Sequence, residues 1–583
     1  MFRSQSISSS IFTADRLVGN SPAFVEPNGS SISYKTAARL VRELADHLQR
    51  AGAAPGARIA FTAPRGPLGV IGFLAAAEVG TCCPLNPRLK PDELSATLAT
   101  MRIGFLLEGA GDDRLKSLAD QAGVQALSVA LRSGELVVPG AASGPAVRRE
   151  ATGAEVPAML MATSGTTSKP KLVPISHANV LASAGAIGEA FSLGPSDLCL
   201  NPMPLYHVHG LVSASISSLL AGSAIHCTDG FSPASFDAAS RALRPTWFTA
   251  SPAMHLALRE FHEHAGSRPP KERLRFFRSS SAPLPPSAIE VLEALFEAPL
   301  IETYGLTETA SMVCTNPLPP AVRKLGSVGV AVGAEILVVN EARAACAPHE
   351  AGEIAIRGSS VIAAYEDNAA PESFFGGWLL TGDLGYLDAD GYLFIVGRAK
   401  EVIKRGGLSV YPAEVDDALA ASPDVAEAVT FSVPHSSLGE EVVAAVVPRA
   451  GSSVDSEALR SLVGRRLSTY KVPSVVLVVD AIPKSETGKI VRRQVAAAFA
   501  DLLLPRSEPP ADSTEHSLLS TWREVLGRDD VGVTDNMFLY GADPLRAGRA
   551  AELMEASGIW KPTLKDLLAA PTVRQQAALV KSV

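Results

Sequence analysis

Cysteine is scarce in this chain. The 583 residues hold six, Cys82, Cys83, Cys199, Cys227, Cys314 and Cys346. They show no metal-ligand spacing and are too few and scattered for a disulfide framework, so they are expected to be reduced and mostly buried, in a reducing compartment. Long basic runs are missing, and the net charge is −8. Neither nucleic acid nor an anionic membrane surface is therefore expected as a partner. No apolar run is long enough to span a bilayer, which excludes membrane insertion. Met1 to Ser10 is polar and lacks the apolar core of a secretory leader, and Lys581-Ser582-Val583 is not a peroxisomal address. The expected location is the cytoplasm. Two common phosphate loops are absent as well: no stretch has Walker spacing, and no Gly-x-Gly-x-x-Gly fingerprint stands out.

What is present begins with 47 % hydrophobic residues, enough core for several domains. Between about residue 30 and residue 400, short apolar runs alternate with longer helical patterns. Val70–Gly80 reads as a buried helix, and Ile354–Ile356 and Leu393–Val396 read as short strands. That alternation predicts α/β layers. The rhythm changes after Arg398. Glu414–Ala421 and Leu459–Leu467 look helical, and Ala428–Val433 and Val442–Val447 look like strands. This is a small α+β unit ending near Ala500. A Pro-rich stretch from Leu504 to Asp512 reads as a linker. Beyond it, Leu518–Leu526, Leu545–Ala556, Leu564–Leu568 and Val573–Val580 predict a small helical bundle.

The chemistry is concentrated in four segments. Thr163-Ser164-Gly165-Thr166-Thr167-Ser168-Lys169-Pro170-Lys171 packs hydroxyls, a glycine and two lysines behind the apolar run Met159-Leu160-Met161. A loop leaving a buried strand in this way offers N–H groups, hydroxyls and cations to one anion, as a polyphosphate requires. Tyr304-Gly305-Leu306-Thr307-Glu308-Thr309 adds an aromatic ring, a hydroxyl and a carboxylate. Thr381-Gly382-Asp383-Leu384-Gly385 runs on to Gly397-Arg398-Ala399-Lys400-Glu401. Pro483-Lys484-Ser485-Glu486-Thr487-Gly488-Lys489 sets a lysine after a glycine. In this order and spacing the four segments resemble the ANL adenylating enzymes, the superfamily of acyl-CoA synthetases, peptide-synthetase adenylation domains and firefly-type luciferases.

The resemblance covers roughly residues 10–500 and implies an α/β and α+β multidomain protein. A large N-terminal adenylation domain (1–397) is followed by a small α+β domain (398–500) that swings about a hinge at Lys400. ATP, Mg²⁺ and CoA or a carrier-bound phosphopantetheine are the implied cofactors. Thr163, Ser164, Gly165, Thr166, Thr167, Lys169 and Lys171 would clamp the phosphates, with Thr163 and Glu308 at the metal. Tyr304 would lie against the adenine, flanked by Ser281, Ala282 and Pro283. Thr307 would bond the α-phosphate, and Asp383 and Arg398 the ribose hydroxyls. Lys489 would bridge the acid and the α-phosphate as charge builds there. In the second, thioester-forming conformation Gly406 and Gly407 would line the pantetheine tunnel. The family has glycine where this chain has Ser168 and Leu172. A leucine at 172 requires a negative φ.

The acyl pocket is implied at His207, Val208, Gly210, Ser280, Gly305, Leu306 and Ser311, with His207 between acid and thiol. Pro204-Leu205-Tyr206-His207-Val208-His209-Gly210, Arg278-Ser279-Ser280-Ser281-Ala282 and Asn316-Pro317-Leu318-Pro319 are similar to oxalate–CoA ligases and related small-acid ligases. Those enzymes carry histidine at the position of Ser311 and cysteine at that of Ser280, so the acid itself is left open. The aspartate with which amino-acid-activating domains pair the α-ammonium is lacking. Because an unpaired buried ammonium is costly, an α-amino acid is disfavoured.

Residues 513–583, after a linker at 501–512, resemble a phosphopantetheine carrier domain. Trp522-Arg523-Glu524-Val525-Leu526-Gly527, Asp535-Asn536-Met537-Phe538 and Ala570-Pro571-Thr572-Val573 carry that resemblance. Carriers place their acceptor serine after Gly-Gly-Asp; here the run is Gly541-Ala542-Asp543-Pro544-Leu545. The expected bundle of four helices is therefore not phosphopantetheinylated. Together these readings give an ATP-dependent acid–thiol ligase, with a small carboxylic acid and either CoA or a separate carrier protein as its partners. An adenylation module loading a separate carrier, a degenerate nucleotide-binding scaffold and a luciferase-like oxygenase are the alternatives.

Overall fold

The structure, a computed structural model, describes residues 5–62, 66–109, 113–139, 153–163, 170–270, 273–435, 438–484, 490, 492–503 and 508–582. The chain divides into two compact units. The first comprises Met1–Thr381 and Gly385–Ile395, the second Gly382–Leu384 and Val396–Val583.

Two mixed sheets organise most of the first unit. One is nine-stranded. Its strands Leu300–Leu306, Phe276–Ser279, Trp247–Ala250, Leu198–Asn201, Ala224–Cys227 and Pro22–Val25 run parallel in that order. Trp247–Ala250 and Phe276–Ser279 are buried at every position, as parallel strands covered on both faces must be. The other sheet is seven-stranded and ends in the antiparallel pair Pro157–Thr163 and Lys171–Ser176. The apolar run at 70–80 forms the helix Pro67–Val79, buried nearly all round. It starts at Pro67, where a missing N–H costs nothing, and stops before Gly80. Strands Gly352–Arg357 and Leu393–Arg398 stand where the sequence predicts short strands. Leu172 is a strand residue buried in an apolar cluster, with no positive φ, as its side chain demands. The six cysteines are free thiols; all are buried except the partly exposed Cys346.

The second unit starts with a small α+β layer. Val425–His435 and Gly439–Pro448 form a long antiparallel pair, extended by Ile403–Arg405, Leu408–Val410 and a parallel strand, Val475–Val478. Helices Pro412–Ala420 and Ser456–Arg466 accompany it. Helices Ser513–Leu526, Pro544–Ala556, Leu564–Ala569 and Val573–Ser582 then make the bundle. Leu518, Trp522, Met537, Ala547, Met554, Leu567 and Val573 fill its core. The buried Trp522 Nε1 donates to Gln576 Oε1 at 2.8 Å, which satisfies its one polar atom. Among the described residues no helix is long and apolar enough to cross a membrane.

Candidate active site

The phosphate loop leaves a hairpin. Thr163 faces Lys171 across Pro157–Thr163 and Lys171–Ser176, and its Oγ1 donates to the Lys171 carbonyl at 3.4 Å. Ser164, Gly165, Thr166, Thr167 and Lys169 lie outside the described residues, as does Lys489.

A second hairpin, Leu300–Leu306 with Ser311–Thr315, carries the next segment. Its register slips between Tyr304 and Gly305. A Cβ on Gly305 would lie 1.6 Å from the Ser311 carbonyl oxygen, so only glycine permits the strands to approach there. The connection is a single 3₁₀ turn, Thr307–Thr309. The buried Thr309 braces it: its Oγ1 accepts from Leu306 N at 2.9 Å and donates to Ser311 O at 2.8 Å. Thr307 and Glu308 are left half-buried. Tyr304 itself is buried and packs against Val313, Ile354 and Leu393, so much of its ring is core. Ser311 is buried beneath the turn.

Sequence reasoning missed Tyr365. Its Oη donates to Glu308 Oε1 at 2.9 Å, and its ring lies 4.4 Å below Lys171 Nζ. Burial first, and then the Glu308 charge, push the phenol well above its ordinary pKa, so it remains a donor. Lys171 Nζ also reaches Ser373 Oγ at 3.5 Å. One aromatic side chain thus joins the last lysine of the phosphate loop to the acidic residue of the 3₁₀ turn. A lone Tyr365 in an unremarkable stretch gives no signal; only the fold brings it to Glu308, 57 residues away.

Of the expected acyl residues, His207, Val208 and Gly210 lie at the start of an eight-residue π-helical stretch, His209–Ile216, a form often found at functional positions. His207 and Val208 precede it, half-buried, and the Tyr206 and His207 rings are 4.7 Å apart. Gly210 is sterically required, since a Cβ there would meet the Pro204 carbonyl oxygen at 2.4 Å. His209, not anticipated as a site residue, is buried and joins Ser281 to Thr249. Ser281 is exposed, with φ +78°, and Ser280 and Ala282 are partly exposed beside it. Leu306 is half-buried next to Gly305.

In the second unit, Arg398 Nε and Asp383 Oδ1 form an ion pair at 3.0 Å. Asp383 is buried, unlike either member of an ordinary surface pair, and follows Gly382 at φ +72°. Lys400 sits in the short turn Ala399–Glu401. Gly406 and Gly407 turn the chain between two strands at φ +58° and +83°.

Compared with known families, residues 13–366 match the AMP-binding enzymes. The chain belongs to that family. Residues 414–489 match the C-terminal domain of AMP-binding enzymes, and residues 516–580 match the phosphopantetheine attachment site. The oxalate–CoA ligase of Arabidopsis thaliana is 37 % identical, with 80 % of this chain and 92 % of that protein covered. The sulfoacetate–CoA ligase of Cupriavidus necator is 39 % identical over 58 % of this chain and 66 % of its own length. ATP-bound MatB from Rhodopseudomonas palustris superposes with a TM-score of 0.77 at 26 % identity, covering 86 % of this chain and 99 % of that one. The protein is accordingly an AMP-forming acid–thiol ligase, with a large adenylation domain, a small C-terminal domain and a helical carrier-like domain. A non-catalytic scaffold is set aside.

Proposed function

We propose that this ligase activates a small carboxylic acid and hands it to the thiol of CoA or of a separate carrier's phosphopantetheine. The observation that carries the reading is the Lys171–Tyr365–Glu308 group at the base of the phosphate loop. Among the described residues Glu308 has a phenol for a partner and no ion pair. A hard carboxylate held by a neutral donor suits Mg²⁺, with Thr163 beside the same loop as its second expected contact. Bound there, the ion would spread the charge of the phosphates. Ser164, Gly165, Thr166, Thr167, Lys169 and Lys171 cradle the triphosphate, and Thr307 donates to the α-phosphate. Tyr304 and the Ser281–Pro283 segment border the adenine, while Asp383 and Arg398 take the ribose. A carboxylate oxygen of the acid attacks the α-phosphorus, the bond to the β-phosphate oxygen breaks, and pyrophosphate leaves. Lys489 balances the charge that gathers between acid and phosphate. The thiolate then attacks the acyl carbonyl carbon and AMP departs.

His207, Val208, Gly210, Ser280, Gly305, Leu306 and Ser311 border the acid. Relatives named for oxalate and sulfoacetate support a short acid bearing a second polar group. Ser311 and Ser280 stand where the oxalate-type pattern has other residues, so the preferred acid differs in shape. Domain limits of 1–397, 398–500 and 513–583 follow, with a hinge at Lys400 and Gly406–Gly407 facing the thiol in the second conformation. A separate carrier as acceptor is favoured by one observation, Pro544 at the first position of its helix. Proline has no hydroxyl with which to hold an arm. Pyrophosphate release from ATP and Mg²⁺ over a panel of small mono- and dicarboxylates, with and without CoA, tests the assignment. Acid-dependent release stimulated by CoA is expected. Release indifferent to CoA points to a separate carrier, and no release with any acid sinks the small-acid reading.

A further inference from the structure

Arg278 is the cation that this chemistry leaves without a role. It stands on a parallel strand with no exposed surface at all. Among the described residues its Nη1 and Nη2 have no hydrogen-bond partner, whereas its Nε donates to Thr249 Oγ1 at 3.0 Å. A guanidinium can only donate, so Thr249 Oγ1 accepts at that contact. Having accepted from Arg278, Thr249 must send its own proton elsewhere. His209 Nε2 lies at 2.6 Å and the Arg278 carbonyl at 3.4 Å, so geometry selects the imidazole. Nε2 is then an acceptor. The single proton of a neutral imidazole must sit on Nδ1, which donates to Ser281 Oγ at 3.0 Å. Burial, with Arg278 adding to it, holds His209 neutral. Ser281 has received one hydrogen bond and retains its own O–H. It is exposed and held at a φ of +78°, a backbone state that non-glycine residues keep only where the surroundings impose it.

We infer that Arg278 and Thr249 are positioning residues that set the tautomer of His209 and thereby make the Ser281 hydroxyl a directed donor for an oxygen of the bound acid. The inference rests on the small-acid reading above for what meets Ser281; the direction of the chain does not depend on it. The ligand atom at that point has to be an acceptor, a carboxylate or carbonyl oxygen. An alkyl group or an ammonium there would leave the donor unmatched or opposed.

Two measurements test this. In ¹⁵N-histidine-labelled full-length protein, with His209→Asn used for assignment, the His209 resonances should report a protonated Nδ1 and a bare Nε2. Thr249→Val should move that pattern and Thr249→Ser should restore it. In the pyrophosphate assay, Thr249→Val and Ser281→Ala should each raise KM for the acid roughly tenfold, and for Thr249→Val the KM for ATP should stay put. Their effects should not add in the double variant, because they interrupt one chain. A wild-type His209 protonated on Nε2 overturns the proposal even if Thr249→Val fails to fold. An unchanged acid KM in a folded Thr249→Val enzyme overturns it too. Inactivity of the wild type with every acid would instead count against the small-acid reading, while the nitrogen shifts still decide the direction of the chain.

Discussion

Tyr365 is the residue on which the Glu308 carboxylate leans. Replacing it with phenylalanine keeps the ring beneath Lys171 and deletes only the bond to Glu308. The carboxylate would then have to be repositioned by each incoming nucleotide. Tyr365→Phe should lower kcat/KM for Mg–ATP by roughly tenfold, with the acid KM little changed; a magnesium titration of pyrophosphate release checks both. Glu302 supplies a prediction in pH. Burial, with Glu293 adding to it, raises its carboxyl to about 7, against the Gly326 N–H and Arg323, which pull it down. The folded value thus exceeds the ordinary one, and the folded protein binds the proton more tightly. The stability this contributes is whole below the unfolded pKa, near 4.5, and is lost as pH rises through about 7. Glu302→Gln should therefore raise the unfolding free energy at pH 8, by on the order of 1–2 kcal/mol, and leave it nearly unchanged at pH 4.5. Equal shifts at both pH values would refute that account.

Elements differ in how openly the sequence displays them. The helix Pro67–Val79 and the Val442–Val447 part of strand Gly439–Pro448 declare themselves through apolar runs, because their burial leaves little room for polar residues. The segment bearing Glu308 is equally visible, since its residues stand together in one 3₁₀ turn. Asp383 and Arg398, on strands Trp378–Leu387 and Leu393–Arg398, stand as an ion pair. Contacts such as Tyr365–Glu308 and Arg278–Thr249–His209–Ser281 link side chains from separate elements, and one sequence holds no periodic trace of them. The same is true of the small domain. There, Arg492 pairs with Asp416 on helix Pro412–Ala420 and donates to Thr430 O at 2.7 Å. Burial raises the Asp416 carboxyl and the Arg492 charge opposes that rise, so the pair persists only while both members stand. Asp416→Ala leaves Arg492 with Glu401, 3.2 Å from its Nε, as its remaining ion-pair partner among the described residues and should cost about 2 kcal/mol, read from the urea midpoint. Loss of the small domain's transition, with the first unit still unfolding as before, is the expected pattern.

At the scale of the whole molecule, the carrier-like bundle poses the main question. Carriers travel between active sites, which requires the face around the acceptor serine to be available. Here helix Pro544–Ala556 begins at that position, capped by Asp543, whose Oδ1 accepts from Arg546 N at 2.8 Å. Two residues earlier, the buried Ala542 carbonyl accepts from His435 Nε2 of the small domain at 3.2 Å. His435 Nδ1 accepts from Leu438 N, also at 3.2 Å, which leaves the imidazole proton on the nitrogen facing the bundle. Arg460 Nη1 donates to the Leu568 carbonyl at 3.0 Å, and Leu539 packs against the cluster that holds Val429 and Phe431. These contacts hold this side of the bundle against the small domain. Incubation with a phosphopantetheinyl transferase and CoA should leave the intact mass unchanged, and a gain of one arm would place the acceptor elsewhere in the bundle. Removing residues 508–583 should uncover His435 and its apolar neighbours and lower the small domain's unfolding midpoint by several degrees. An unshifted midpoint would mean that the bundle is held by its linker alone and is free to leave.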